Sequence, residues 1–144
     1  HDLQLTGTEK VLEIGTGSGY MAALLAGRAQ RVVSLEINPE LASNARNNLQ
    51  RAGITNVDVR VADGSSGASG DAPFDAIVVT AGAPSVPETY IKQLKVGGKL
   101  VIPVGDQSDE QKMMRITTVP ANQTKTEILQ DCKFVPLKGT LGWK

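Results

Sequence analysis

Residues 11–20 are VLEIGTGSGY, and this stretch decides the fold. The apolar run over Lys10–Ile14 predicts a β-strand. The helical spacing of Met21, Leu24 and Leu25 predicts a helix over Ser18–Ala29. Three glycines alternate between them: Gly15, Gly17 and Gly19. Residues without a Cβ permit a sharp turn and let a ligand approach the backbone, while the first N–H groups of the helix face outward. The loop therefore predicts a ligand site, with a purely structural turn as the alternative.

The glycine spacing separates two classes of nucleotide-binding loop. A dinucleotide loop has the spacing G-x-G-x-x-G, which would place glycine at position 20, where this chain has tyrosine. The spacing present is G-x-G-x-G after Glu13, and it resembles the loop of S-adenosylmethionine-dependent methyltransferases, whose cofactor has no pyrophosphate. The loop therefore favours S-adenosylmethionine over a dinucleotide.

Strand and helix patterns alternate along the chain, which is typical of a parallel sheet with crossover helices. The other predicted strands are Arg31–Glu36, Val57–Ala62, Phe74–Thr80 and Lys99–Val104, followed by an antiparallel pair at Lys112–Val119 and Thr124–Gln130. Because Phe74–Thr80 is nearly all apolar, we expect that strand to be central and buried on both faces. The predicted fold is an α/β, Rossmann-like methyltransferase fold with a mainly parallel twisted sheet, forming one domain over residues 1–144.

The connecting segments carry helix and turn signals. Asn38-Pro39 supplies an N-cap and a proline at the first helical position. The helix that follows is predicted to end near Gly53 and to turn three side chains inward: Leu41, Ala45 and Leu49. A short helix is predicted after Pro87, and the polar, glycine-rich segment Asp63–Ala72 is predicted to be a mobile surface loop. Gly97-Gly98 is predicted to turn the chain into the strand Lys99–Val104.

Acidic residues end two of the predicted strands. Glu36 ends the second strand, and Asp63 with Gly64 follows the third. Since ligands of open α/β sheets bind outside the carboxyl ends of the strands, both carboxylates are predicted to lie beside the glycine loop. Glu36 could accept hydrogen bonds from two ribose hydroxyls, and Asp63 from an adenine amino group. The alternatives are a solvated carboxylate at Glu36 and an ordinary Asp-Gly turn at Asp63.

Composition excludes several classes of function. The 144 residues are 40% hydrophobic and contain 15 basic and 15 acidic residues, so no net charge draws the chain to nucleic acid or an anionic membrane. Its apolar runs are far shorter than the about 20 residues of a membrane span. The single cysteine, Cys132, excludes an internal disulfide and favours a cytoplasmic location. We expect no nucleic-acid partner, no membrane partner and no metal.

Longer motifs resemble one family, the protein-L-isoaspartate O-methyltransferases, over about residues 9–138. The segments that carry the resemblance are Val11–Tyr20, Asp63-Gly64, Pro73–Ala81, Val96–Gly105 and Phe134–Leu137. The resemblance implies a seven-stranded sheet, S-adenosylmethionine as methyl donor, S-adenosylhomocysteine as product, and isoaspartyl residues of damaged peptides and proteins as substrate. It further implies a cofactor site lined by Glu13, Gly15, Thr16, Gly17, Ser18, Gly19, Glu36, Ile37, Asp63, Gly64 and Thr80.

The family pattern is incomplete at the start of this chain. Members carry a substantial region before the glycine motif, including a Ser/Thr segment near the transferred methyl group, whereas only His1–Thr8 precede the first strand here. We therefore expect a chain truncated at its N-terminus, with an apolar patch left uncovered, and we assign no catalytic residue. The alternative is a non-catalytic S-adenosylmethionine-binding module. A nucleic-acid methyltransferase is disfavoured, since residues 80–84 (TAGAP) lack the Asn/Asp-Pro-Pro-aromatic motif of base-amino methylation.

Overall fold

The fold is a twisted seven-stranded sheet with helices packed against it, as a computed structural model of residues 5–105, 111–120 and 123–132 describes it. The strands are β1 (Lys10–Ile14), β2 (Arg31–Glu36), β3 (Val57–Val61), β4 (Phe74–Val79), β5 (Leu94–Val104), β6 (Gln111–Val119) and β7 (Gln123–Cys132). The helices are α1 (Tyr20–Ala26), α2 (Pro39–Arg51) and α3 (Glu88–Lys92), with a 3₁₀ turn at Gly64–Ser66.

The strand order is β3-β2-β1-β4-β5-β6-β7. Neighbours from β3 to β5 pair in parallel, whereas β6 pairs antiparallel with both β5 and β7. The predicted mixed sheet is confirmed, and β4 occupies the central position expected from its apolar sequence. Because β1, β2 and β3 run in parallel, their carboxyl ends meet at one edge of the sheet, which positions the site described below.

The core lies on both faces of the sheet, because consecutive strand residues point to opposite sides. On one face Leu12, Ile77 and Leu100 pack with the buried Tyr90 of α3. On the other face Val11 packs with Leu25 of α1 and other buried apolar residues. Glu13 shares this second face with Val11 and lies closer to the carboxyl edge.

Two helix predictions differ from the structure. The predicted helix Ser18–Ala29 is shorter, since the glycine loop extends to Gly19 and the helix ends at Ala26. Its buried residues are Ala22 and Leu25, while Met21 and Leu24 of the predicted apolar face are exposed. In α2 the inward-facing residues are Ala42, Ala45 and Leu49, and Leu41 is 41% exposed. Small alanines let the helices approach the sheet closely, so the larger side chains beside them point outward.

Two further segments differ from their predictions. Gly97 and Gly98 were expected to form a turn, yet both lie within β5, where a register shift against β4 accommodates Gly97 at a φ of 83°. The segment Asp63–Ala72, predicted as a mobile surface loop, includes the buried 3₁₀ turn residues Gly64 and Ser65. The Phe134–Leu137 motif, His1 and the side chain of Cys132 lie outside the described residues.

Candidate cofactor site at the carboxyl edge of the sheet

The glycine loop leaves β1 through three backbone positions with positive φ. The φ values are 96° at Gly15, 54° at Gly17 and 89° at Gly19, a region that L side chains rarely adopt. The amide of Gly19 donates to the carbonyl of Thr16 at 3.0 Å and closes the turn, after which α1 begins. The alternating glycines are thus required by the backbone path of the loop.

Thr80, the residue after β4, fixes the start of this loop. Its hydroxyl donates to the carbonyl oxygens of Ile14, at 3.0 Å, and Gly15, at 2.7 Å. A Cβ built on Gly15 would lie 2.6 Å from the Thr80 hydroxyl oxygen, closer than real Cβ atoms approach any atom. Gly15 is therefore needed for two reasons, its conformation and the close approach of Thr80.

Glu36 joins the end of β2 to the loop. One carboxylate oxygen accepts a hydrogen bond from the amide of Gly17 at 3.0 Å, and the other accepts from the amide of Asn38 at 3.0 Å. The side chain is largely buried, at 7% exposure, and Ile37 beside it is 46% exposed. Glu36 and Gly17 therefore lie at the same edge of the sheet, as the sequence predicts.

The segment after β3 completes this edge. One carboxylate oxygen of Asp63 accepts from the amide of Ser65 at 3.0 Å and from its hydroxyl at 2.6 Å, which caps the 3₁₀ turn. Gly64 packs against the ends of β1 and β2, so that a Cβ there would lie 2.7 Å from a methyl carbon of Ile14. Gly64 is thus also required by close packing, and it brings Asp63 to the sheet edge.

Tyr90 of α3 and Gln93, which caps the end of α3, hold this segment against the core. The Tyr90 hydroxyl donates to the carbonyl of Gly64 at 2.8 Å, and burial raises the pKa of Tyr90, which keeps the hydroxyl a donor. The Gln93 side chain donates to the carbonyl of Ser66 at 3.1 Å and accepts from the amide of Ala68 at 2.9 Å. These hydrogen bonds explain why the segment is held against the core rather than lying free on the surface.

Glu13 lies beneath the loop and is fully buried. One of its oxygens accepts a hydrogen bond from the Ser34 hydroxyl at 2.5 Å, and the Ser34 oxygen lies 2.6 Å from the Thr16 hydroxyl oxygen. The pKa of Glu13 is raised to about 7, mainly by desolvation; the Ser34 hydrogen bond opposes this shift and the charge of Glu36 adds to it. A hydrogen-bonded chain therefore links β1 and β2 to the loop.

The structure brings the predicted site residues to one edge but gives them different environments. Glu36, Ile37 and Asp63 reach the surface to differing degrees, and Ser18 is exposed with its carbonyl bonded to Asn48. Glu13 and Thr16 are buried and face other side chains of the protein. The Thr80 hydroxyl is directed at the loop backbone. The predicted set thus divides into surface groups and groups that support the loop.

Sequence reasoning missed Ser34, Tyr90 and Gln93. Ser34 had a signal, since it is a single polar residue inside the apolar strand RVVSLE and had to find a buried partner. Tyr90 and Gln93 had none, because their partners on the 3₁₀ turn are about 25 residues away and are brought close only by the packing of α3.

The described residues contain neither a cluster of metal ligands nor a membrane-spanning helix. Residues 5–105, 111–120 and 123–132 contain no group of three His, Cys, Asp or Glu side chains arranged to hold a metal ion. Within the same ranges, every helix is too short or too polar to cross a bilayer.

Comparison with known proteins agrees with this geometry. The family model for protein-L-isoaspartate(D-aspartate) O-methyltransferase matches residues 1–142. A protein-L-isoaspartate O-methyltransferase of Geobacter metallireducens is 52% identical over 98% of this chain and 65% of its own length. The protein-L-isoaspartate O-methyltransferase 2 of Geotalea uraniireducens is 55% identical over 98% of this chain and 64% of its own length. The chain therefore spans about two thirds of the length of these curated relatives.

Solved structures show the same fold. A protein-L-isoaspartate O-methyltransferase structure superposes with a TM-score of 0.87 at 32% identity, covering 97% of this chain and 45% of that one. A Plasmodium falciparum protein described as belonging to the same enzyme class, crystallised with S-adenosyl-L-homocysteine, gives a TM-score of 0.74 at 27% identity, covering 95% of this chain and 68% of that one. With the family model matching nearly every residue, the chain belongs to the protein-L-isoaspartate(D-aspartate) O-methyltransferase family.

Proposed function

We propose that this chain binds S-adenosylmethionine at the carboxyl edge of the sheet and transfers its methyl group to the carboxylate of L-isoaspartyl residues in damaged proteins. The observation that carries the proposal is the Glu36 carboxylate, held between the amides of Gly17 and Asn38 at the mouth of the glycine loop. Family membership supports the choice of substrate.

The residues at this edge suit an adenosyl ligand. Glu36 would accept hydrogen bonds from the ribose hydroxyls, and Asp63 from the adenine amino group. The exposed side chain of Ile37, next to Glu36, would offer an apolar surface to the adenine ring. Because a Cβ at Gly15 or Gly64 would collide with neighbouring side chains, the floor of this site is formed by closely packed backbone.

Glu13 and Thr80 would act through the loop. The Thr80 hydroxyl holds the carbonyls of Ile14 and Gly15, and Glu13 holds Thr16 through Ser34. Neither contact leaves the protein, so both residues would position the loop backbone for the ligand. This assignment keeps them in the proposed cofactor site in a supporting role.

The chemistry needs little from the protein beyond positioning. The bound cofactor supplies a methyl group on a positively charged sulfur. The accepting group of an isoaspartyl residue is an α-carboxylate with a reference pKa of about 3.3–3.7, so it is ionised at neutral pH and needs no general base. Holding donor and acceptor in line is then the main contribution to the rate. No catalytic residue is assigned among the described residues.

Cofactor binding is tested by calorimetric titration of the 144-residue chain with S-adenosylhomocysteine. Hydrogen bonds to a charged acceptor contribute about 1.5–3 kcal/mol, so Glu36→Gln should weaken binding by about tenfold to a hundredfold. Glu40→Gln is the matched control, because Glu40 is an exposed carboxylate in the first turn of α2. Equal affinities for the two variants would contradict the proposed ribose contact, and no binding by the unmodified chain would contradict the site.

Methyl transfer is tested with a pair of synthetic peptides that differ only in one residue, isoaspartate or aspartate. Radiolabelled S-adenosylmethionine should label the isoaspartyl peptide alone, and the label should be released by mild base, as expected of a methyl ester. Binding of the cofactor without transfer to either peptide would contradict the enzymatic part of the proposal for this chain.

The proposed partners are isoaspartyl-containing peptides and proteins. The balanced charge of the chain supports the absence of a nucleic-acid partner. Its single cysteine supports a cytoplasmic location. Both remain predictions from the sequence.

A further inference from the structure

The buried carboxyl group of Glu13 has one oxygen that no hydrogen bond explains. Its first oxygen accepts from Ser34, whereas its second oxygen is buried and has no hydrogen-bond partner among the described residues. An ionised carboxylate in this position is poorly compensated, because a buried acceptor without a donor loses its hydration and gains nothing in return. Glu13 therefore favours its neutral, protonated form much more than an exposed glutamate does.

The surroundings of Glu13 add negative charge and no positive charge. Glu36 faces it from β2, and its charge disfavours a second anion. The register partner on β4 is the apolar Val78, and α1 carries no charged residue. On α2 the guanidinium of Arg46 donates to the carbonyl of Val59 on β3. Across the described ranges, neither glutamate forms an ion pair with a cationic side chain.

The oxygen without a hydrogen-bond partner and the negative surroundings both favour protonation of Glu13 near neutral pH. Burial raises its pKa to about 7, so at that pH its carboxyl is about half protonated. A positive charge arriving nearby favours the ionised form, and an uncharged ligand does not. Glu13 can therefore respond to the charge of whatever the loop binds.

The two ligands of the proposed function differ by one charge. S-adenosylmethionine has a sulfonium, an ammonium and a carboxylate, which sum to one positive charge. S-adenosylhomocysteine has a neutral thioether, and its remaining charges cancel. We propose that Glu13 makes the cofactor site charge-selective: its buried carboxyl releases a proton to solvent when the cationic methyl donor binds, and retains it when the uncharged product binds.

The inference rests on the proposed cofactor site and adds a pH-dependent preference to it. As pH rises through the neutral range, the ionised fraction of Glu13 increases, and the preference of the site for donor over product should increase with it. Two unit charges about 10 Å apart, at an effective dielectric constant of about 20, interact strongly enough to change affinity roughly tenfold. Partial screening reduces the expected change to about three- to tenfold. Ionised Glu13 would thus favour exchange of spent product for fresh donor.

The test compares affinities for the two ligands at pH 6 and pH 8 by calorimetry, in the unmodified chain and in Glu13→Gln. For each protein, the dissociation constant of S-adenosylhomocysteine is divided by that of S-adenosylmethionine. From pH 6 to pH 8 this ratio should increase by about three- to tenfold more in the unmodified chain than in the variant. Because the amino groups of the ligands titrate equally against both proteins, this comparison isolates Glu13.

Proton release gives a second readout that does not depend on the Gln variant folding. Titrations at pH 7 in buffers of different ionisation enthalpy should show up to about half a proton released on binding S-adenosylmethionine and nearly none with S-adenosylhomocysteine. Ser34→Ala removes the hydroxyl that favours ionised Glu13, so the maximum of proton release should move to higher pH. Glu40→Gln should leave both readouts unchanged.

The outcomes separate this inference from the function on which it rests. If neither ligand binds, the proposed cofactor site is overturned together with the role of Glu13. If both ligands bind but their affinity ratio changes with pH equally in the unmodified chain and in Glu13→Gln, the charge-selective role alone is overturned. Equal proton release with the two ligands would have the same consequence.

Discussion

Gly15→Ala should destabilise the protein more than Gly17→Ala, although both substitutions add one methyl group to the same loop. At Gly15 the φ of 96° lies well outside the left-handed minimum, and the new Cβ would lie 2.6 Å from the Thr80 hydroxyl oxygen. At Gly17 the φ of 54° lies within that minimum, and no atom is within 4 Å of a Cβ. Gly15→Ala therefore adds steric overlap to a backbone strain at least as large as that of Gly17→Ala.

The magnitudes follow from these two contributions. A non-glycine residue in the left-handed region costs roughly 1–2 kcal/mol, which is the expected effect of Gly17→Ala on the free energy of unfolding. Gly15→Ala adds displacement of the Thr80 hydroxyl, whose single proton is shared between two carbonyls and contributes about 1 kcal/mol, for a total of about 2–3 kcal/mol. A typical domain has 5–15 kcal/mol of stability, so the variant should still fold.

The assay is urea unfolding followed by far-ultraviolet circular dichroism, with Thr80→Ala and the Gly15→Ala/Thr80→Ala double variant included. Removing the hydroxyl leaves the Thr80 Cβ, 3.9 Å from the new methyl group, as the nearest atom. The double variant should therefore lose about 1 kcal/mol less than the sum of the single losses. Strict additivity, or equal losses for Gly15→Ala and Gly17→Ala, would refute the proposed contact between β4 and the loop.

Three further perturbations test other parts of the structure. Since the pKa of Glu13 is raised to about 7 in the folded protein, its contribution to stability is complete at low pH and lost as pH rises towards neutrality. The difference in unfolding free energy between wild type and Glu13→Gln should then change by about 2.5 kcal/mol from pH 5 to pH 8, and a constant difference would contradict the burial of this carboxyl. Tyr90→Phe removes one of the two donors to the carbonyl of Gly64, which keeps the amide of Gly67 at 3.0 Å, so urea unfolding should show a loss of about 1 kcal/mol; no loss would mean that the hydrogen bond is replaced. Asn38→Ala removes the N-cap of α2 and should cost about 1 kcal/mol, whereas Asn38→Ser should retain most of it, and equal thermal melting of the two would contradict the cap.

Most of the fold could be predicted because its strands carry strong local signals. The bounds of β1 and β2 agree with the sequence prediction at both ends, since each is an apolar run between polar residues or glycines. The edge at which Glu36 meets Gly17 followed from topology alone, since parallel strands present their carboxyl ends together. What failed was the choice of face on the helices: Leu41 is larger and more apolar than Ala42, yet Ala42 packs against the sheet because the space there is small.

The supporting half of the site could not be predicted, for a different physical reason. The hydrogen bond from Tyr90 to Gly64 joins segments whose proximity depends on how α3 packs on the finished sheet. No local pattern encodes that distance. Ser34 is an intermediate case: its polarity within an apolar strand indicates a buried partner, but the strand register decides that the partner is Glu13 on β1.

The distribution of charge at this edge connects stability with the proposed function. Glu13 and Glu36 lie in the part of the sheet where burial makes charge costly, and no basic side chain of the described residues is paired with either. A protein selected for stability alone would replace Glu13 with an apolar residue, since one of its oxygens has no hydrogen-bond partner. A cationic ligand would offset part of that cost when it binds, because it favours the ionised form of the carboxyl. The same buried charge that weakens the empty protein above pH 7 should therefore strengthen its complex with a methyl donor, and raising pH should destabilise the first while tightening the second.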